Sequence, residues 1–132
     1  GATHIIFNCL ATWTFARQVE TTWSTVRLGV LVIGIALIAH QCQILFPPNL
    51  GGHIGLGGGL SGVVFGLFGY LWMKSRYDRR SAVYMSDMTV VMMIGFLFLC
   101  MTPLMSFMNV ANVAHVTGLL AGMAFAFVPT KT

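Results

Sequence analysis

Residues 57–74 read Gly57-Gly58-Gly59-Leu60-Ser61-Gly62-Val63-Val64-Phe65-Gly66-Leu67-Phe68-Gly69-Tyr70-Leu71-Trp72-Met73-Lys74. Glycines crowd the approach, with Gly51, Gly52 and Gly55 just upstream. An unbroken apolar run from Val63 to Met73 follows and ends at Lys74 and Arg76. A glycine-rich loop feeding a helix presents unpaired backbone N–H groups and the positive end of a helix dipole. Ser61 stands at that junction, where a hydroxyl can attack a carbonyl while the N–H groups hold the oxyanion that forms. Small residues at such spacing also serve close packing in membrane helices. The rest of the chain has to decide between the two.

Composition sets the solvent. Of 132 residues, 57% are hydrophobic and 8% charged, against about 25% charged in soluble domains. Such a chain cannot cover a water-facing surface, so the lipid bilayer is its expected partner. The net charge of +4 is to be read by position and not as a nucleic-acid signal. Cys9, Cys42 and Cys100 are scattered through apolar runs without metal spacing and read as small core or lipid-facing residues. Four histidines without paired carboxylates make a poor metal site. No metal or cofactor is expected, and His40 and His53 receive no role.

Outward from the central stretch, apolar segments predict helices over about 3–22, 26–46, 61–75, 88–102 and 110–128. Pro47-Pro48, Pro103 and Pro129 mark stops. The expected fold is all-α: a polytopic membrane bundle of five transmembrane helices, with 1–132 as one domain. If 76–86 is cytoplasmic, alternation places the turn at 17–27 and the tail 129–132 on the same side. All seven Lys and Arg (Arg17, Arg27, Lys74, Arg76, Arg79, Arg80, Lys131) then lie inside. So do Glu20, Asp78 and Asp87. Lys74 reads as the cytoplasmic boundary.

Depth then constrains Ser61. It lies 13 residues before Lys74, or about 20 Å at 1.5 Å per residue, in a core about 30 Å thick. Ser61 is thus expected about 10 Å below the outer surface by these dimensions. Irregular backbone at that depth must line a water-filled cavity or be buried in protein. His115, about 21 Å from Pro129 by the same rise, falls at a similar level. It shares a helix face with Gly118 and Gly122, while Gly62, Gly66 and Gly69 share one on the serine helix. Docking the two small-residue stripes would bring His115 beside Ser61. No carboxylate can reach the pair, so serine chemistry would use a dyad, with Phe65 available to pack against the imidazole.

Three segments together resemble the signatures of the rhomboid intramembrane serine proteases, of the bacterial GlpG type: His4-Ile5-Ile6-Phe7-Asn8, Gly59-Leu60-Ser61-Gly62 and Ala114-His115-Val116-Thr117-Gly118. Their order and spacing match across essentially the whole chain. The resemblance implies Ser61 as nucleophile and His115 as general base. It also implies His4, Asn8 and the backbone of Gly58, Gly59, Leu60 and Ser61 as the oxyanion site. The fold implied is a helix bundle with the serine on a short central helix, and the implied substrates are single-pass transmembrane proteins. Two departures stand out. The family's first helix and the loop after it have no counterpart, so 1–132 reads as N-terminally truncated, and the usual Tyr one turn after the serine is Phe65.

The expected protein is therefore a multi-pass integral membrane protein, of the bacterial inner membrane by analogy. Its site would open to the non-cytoplasmic side, reached by water through loops 47–60 and 103–110. The competing reading is a catalytically inactive rhomboid-like protein that binds membrane helices.

Overall fold

The computed structural model describes residues 2–45, 59–81, 83–100 and 112–128, without a few of their side chains, those of His4, Asn8 and Ser61 included. Five α-helices follow in order: α1 (Ala2–Thr22), α2 (Thr25–Leu45), α3 (Gly59–Tyr77), α4 (Asp87–Cys100) and α5 (Asn112–Phe125). A single 3-10 turn, Arg79–Ser81, lies between α3 and α4.

Local chemistry sets the helix ends. Two residues, Trp23 and Ser24, separate α1 from α2 and force the pair antiparallel. The Ser24 hydroxyl accepts the Arg27 N–H at 3.0 Å, and the Ser86 hydroxyl accepts the Thr89 N–H at 3.2 Å, so serine caps α2 and α4. Beyond α3, the Asp78 carboxylate accepts the Arg80 N–H at 3.2 Å and the Ser81 hydroxyl donates to the Asp78 carbonyl at 2.8 Å. These bonds turn the polar stretch expected to be a loop into a tight helical turn. At the end of α5, Phe127 N–H donates to the Ala124 carbonyl and Val128 N–H to the Phe125 carbonyl, both at 3.1 Å. This narrower i→i+3 winding ends the regular helix at Phe125, three residues before the expected stop.

α3 is the axis of the bundle. Gly62 through Leu71 are buried without interruption. A helix apolar on every side must be enclosed on every side, and α1, α2 and α5 enclose this one. α4 touches α3 and α5 only along a short seam. Trp23, Lys74 and Val128 line one cavity, so α1, α3 and α5 end together, and α2 and α4 begin, at one end of the bundle.

The closest approach is between α3 and α5. A β-carbon at Gly118 would fall on the Gly62 carbonyl oxygen, and one at Gly122 on the Gly66 carbonyl oxygen. The obstructing atoms are backbone and cannot rotate away. Both glycine pairs repeat at a four-residue step, so α3 and α5 run parallel in one register. Gly66 also receives the Ile35 side chain of α2, and a β-carbon at Gly69 would fall 2.7 Å from the Leu119 carbonyl oxygen.

Charge collects where α3 ends. Lys74 is only 3% exposed. Its ammonium pairs with Asp78 at 3.2 Å and lies 5.8 and 5.6 Å from the Trp23 and Tyr70 ring centroids. Arg27 donates to the Tyr70 hydroxyl at 2.8 Å, and Trp23 meets Tyr70 edge-on at 5.3 Å. Lys74, read from the sequence as the cytoplasmic boundary, lies at the charged end of α3 and is covered there by Trp23 from the α1–α2 turn.

Outside, the bundle is apolar: Leu10, Val30, Ile33, Leu37, Val91 and Phe98 are among its exposed side chains. One described helix, Thr25–Cys42, is long and apolar enough by itself to cross a membrane, with mean hydropathy 1.7. The described apolar segments Asp87–Leu99 and His115–Phe125 are shorter. The five expected spans thus appear as five helices, of which α2 alone meets that test.

Gly122→Val should lower thermal stability in detergent by more than the about 1–3 kcal/mol of ordinary overpacking, since the clash is with backbone. Gly95→Ala, where a β-carbon meets nothing within 4 Å, should melt like the parent. Equal melting of both variants would show that the glycines do not set the α3–α5 distance.

Candidate active site

The site is assembled at the end of the bundle away from the charges. α3 begins at Gly59, two residues ahead of the start expected from the sequence, so Gly59, Leu60, Ser61 and Gly62 form its first turn. The first four N–H groups of a helix have no partner within it. A first turn made of these residues offers such donors around the serine backbone. Gly58 lies outside the described residues, as do the Ser61 side chain, residues 46–58 and 101–111, and His53.

His115 belongs to the first turn of α5 and is 1% exposed. Its ring lies 5.0 Å from the Phe65 ring, centroid to centroid, at a 42° tilt. Phe65 also meets Phe96 of α4, their ring centroids 6.2 Å apart and their planes 17° from parallel. The imidazole is therefore walled by an aromatic pair drawn from two other helices. That Phe96 closes the pair had no signal in the sequence, because the contact joins residues 31 positions apart in chain order.

Register carries the serine toward this imidazole. Gly118, one turn after His115 on the same face, has its α-carbon side against Gly62, the residue after Ser61. The backbones of Ser61 and of the His115 turn thus lie across the close contact between α3 and α5. His4 and Asn8 sit one turn apart in the first half of α1, and their side chains lie outside the described residues. His40 is exposed on α2.

Electrostatically the site is bare. Glu20, Asp78 and Asp87 are the chain's three acids, and Asp78 lines the cavity at the far end. From Lys74, paired with Asp78, the rise back to the serine turn is about 20 Å. No carboxylate is in reach of the imidazole, against which Phe65 packs. Among the described residues no group of three His, Cys, Asp or Glu is placed to hold a metal ion.

The family model for the Rhomboid domain matches residues 1–131. The chain belongs to the rhomboid family. Over 128 residues, 96% of its length, it is 37% identical to Rhomboid protease GlpG of Enterobacter sp. (strain 638). It is 35% identical over the same length to Rhomboid protease GlpG of Klebsiella pneumoniae subsp. pneumoniae, and 33% to that of Salmonella paratyphi A. The chain spans 44% of the length of each of these rhomboid relatives. The all-helical bundle with a buried glycine-lined central helix is the fold of this family member.

Phe65→Ala would remove the ring between His115 and Phe96 and should cost about 3–5 kcal/mol, as for other buried aromatic truncations. Leu120→Ala, at an exposed position of α5, should cost far less in the same melting measurement. A Phe65→Ala protein as stable as the Leu120→Ala protein would mean that the ring is not packed as described.

Proposed function

We propose that this rhomboid chain carries the catalytic core of an intramembrane serine endopeptidase. The observation that carries the reading is a buried imidazole, fixed against Phe65, on the helix whose glycines abut the residue after Ser61. Family membership and relatives that bear the name of a protease support the same reading.

Ser61 adds to a substrate carbonyl while His115 takes the hydroxyl proton. The resulting tetrahedral oxyanion collapses with the proton passed from His115 to the leaving amine. Water then hydrolyses the acyl-enzyme by the same route in reverse. Free N–H groups of the Gly59–Ser61 turn, the Gly58 N–H, and the His4 and Asn8 side chains hold the oxyanion. The α3 dipole, positive at that end, favours the same charge. With no carboxylate in reach, packing against Phe65 helps to hold the His115 ring.

The substrates are single-pass transmembrane proteins. A peptide bond in an intact helix has its carbonyl engaged, so the scissile segment must unwind, and Gly or Pro near the outer boundary assists that. With the cations gathered at the opposite end, the positive-inside rule turns the site to the non-cytoplasmic face of a bacterial inner membrane.

Two experiments test the assignment. Ser61→Ala and His115→Ala should each abolish cleavage of a transmembrane substrate and labelling by a fluorophosphonate, and the double variant should be no worse, because nucleophile and base act as one unit. Additive losses would exclude the dyad. Asn8→Ala should lower the cleavage rate by about 10²–10³ with a smaller effect on stability. An Asn8→Ala protein that melts early yet cleaves at the parental rate while folded would make Asn8 a packing residue.

A further inference from the structure

A cavity of about 360 Å³ opens at the charged end of the bundle, between the α1–α2 turn, the end of α3, the 3-10 turn and the turn that follows α5. That volume lies within the range of small-ligand sites, about 300–1,000 Å³. Trp23 and Phe127 give it an apolar wall; Lys74, Asp78, Arg80 and Ser81 give it a polar one.

The charges are unequally matched. Asp78 has both carboxylate oxygens engaged, one by the Lys74 ammonium and the other by the Arg80 backbone N–H, each at 3.2 Å. Lys74 is held in place by that carboxylate and by the Trp23 and Tyr70 faces. The Ser81 hydroxyl is tied to the Asp78 carbonyl. Arg80 lines the cavity, and its guanidinium has no ion-pair partner among the described residues. Two cations therefore face one carboxylate, and the surplus charge is on the side chain with the planar fork that suits phosphate.

We infer that this cavity binds a phosphate-bearing anion through Arg80, with Lys74 supplying a second, buried positive charge. The apolar wall beside those cations fits a phosphodiester whose glycerol and first methylenes continue into hydrocarbon, that is, an anionic phospholipid of the cytoplasmic leaflet. The lipid source rests on the membrane orientation proposed above; the anion chemistry does not.

Trp23 lines the cavity and reports on it. The full chain in neutral detergent is titrated with phosphatidylglycerol brominated near the glycerol, and separately with phosphatidylcholine brominated alike. The difference between the parent and Trp23→Phe isolates quenching at Trp23. The brominated phosphatidylglycerol should half-saturate at about fivefold lower mole fraction than the phosphatidylcholine, the gain expected from one cation beside an anionic headgroup. Arg80→Gln, an exposed side chain, should erase that difference. Reversal of the quenching by excess inorganic phosphate would keep the anion site and assign it to free phosphate. Equal quenching by both lipids, unmoved by Arg80→Gln, would overturn the site while leaving the membrane reading intact. No quenching by either would overturn both. The readout is independent of proteolysis, so a failed dyad and a failed anion site remain separable.

Discussion

The backbone contact between Gly62 and Gly66 on α3 and Gly118 and Gly122 on α5 is the constraint on which the rest depends. In lipid, helices gain no hydrophobic free energy from meeting each other, since the tails are as apolar as the side chains. What remains is close van der Waals packing, which grows as backbones approach. Four glycines at matched spacing allow an approach that no side chain would permit. Ile35 then fills the groove left at Gly66, so that three helices converge on one residue without a β-carbon. The same contact fixes the relative height of Ser61 and His115. Stability and the placement of the proposed dyad thus follow from one set of missing atoms.

Polar chemistry is sorted to the two ends of this packed middle. At one end Phe65, itself against Phe96, packs on His115, with no carboxylate in reach. At the other, Lys74, Asp78, Arg27 and Tyr70 form a cluster in which each buried charge or hydroxyl has a partner. Removing one member of a buried pair strands the other at a cost of about 3–5 kcal/mol when both are enclosed, and less here because Asp78 keeps 30% of its side chain exposed. This cluster ties the α1–α2 turn to the end of α3, so the axis helix is held at its foot by charge and along its middle by glycine.

Much of this was legible in the residues. Apolar runs punctuated by proline located five helices because each helix must satisfy its own backbone in lipid. The side of the charges followed from their positions, and the glycine faces from the period of a helix. His115 stood out as an ionisable group inside an apolar run. What escaped were contacts between residues distant in sequence. Phe96 behind Phe65 depends on how α4 leans, and the cover over Lys74 depends on a tryptophan 51 positions away. The true start of α3, ahead of Ser61, was hidden because a run of glycines reads as loop whether or not its end is wound into a helix.

The central claim is that the glycine register delivers His115 to Ser61. A high-resolution experimental structure of the chain after reaction with a fluorophosphonate tests it most directly. That structure should show phosphorus bonded to the Ser61 hydroxyl oxygen, a His115 ring nitrogen within about 3.2 Å of that oxygen, and Gly118 still seated on Gly62. A label on any other residue, or an imidazole beyond hydrogen-bond reach with the glycine contact intact, would contradict it.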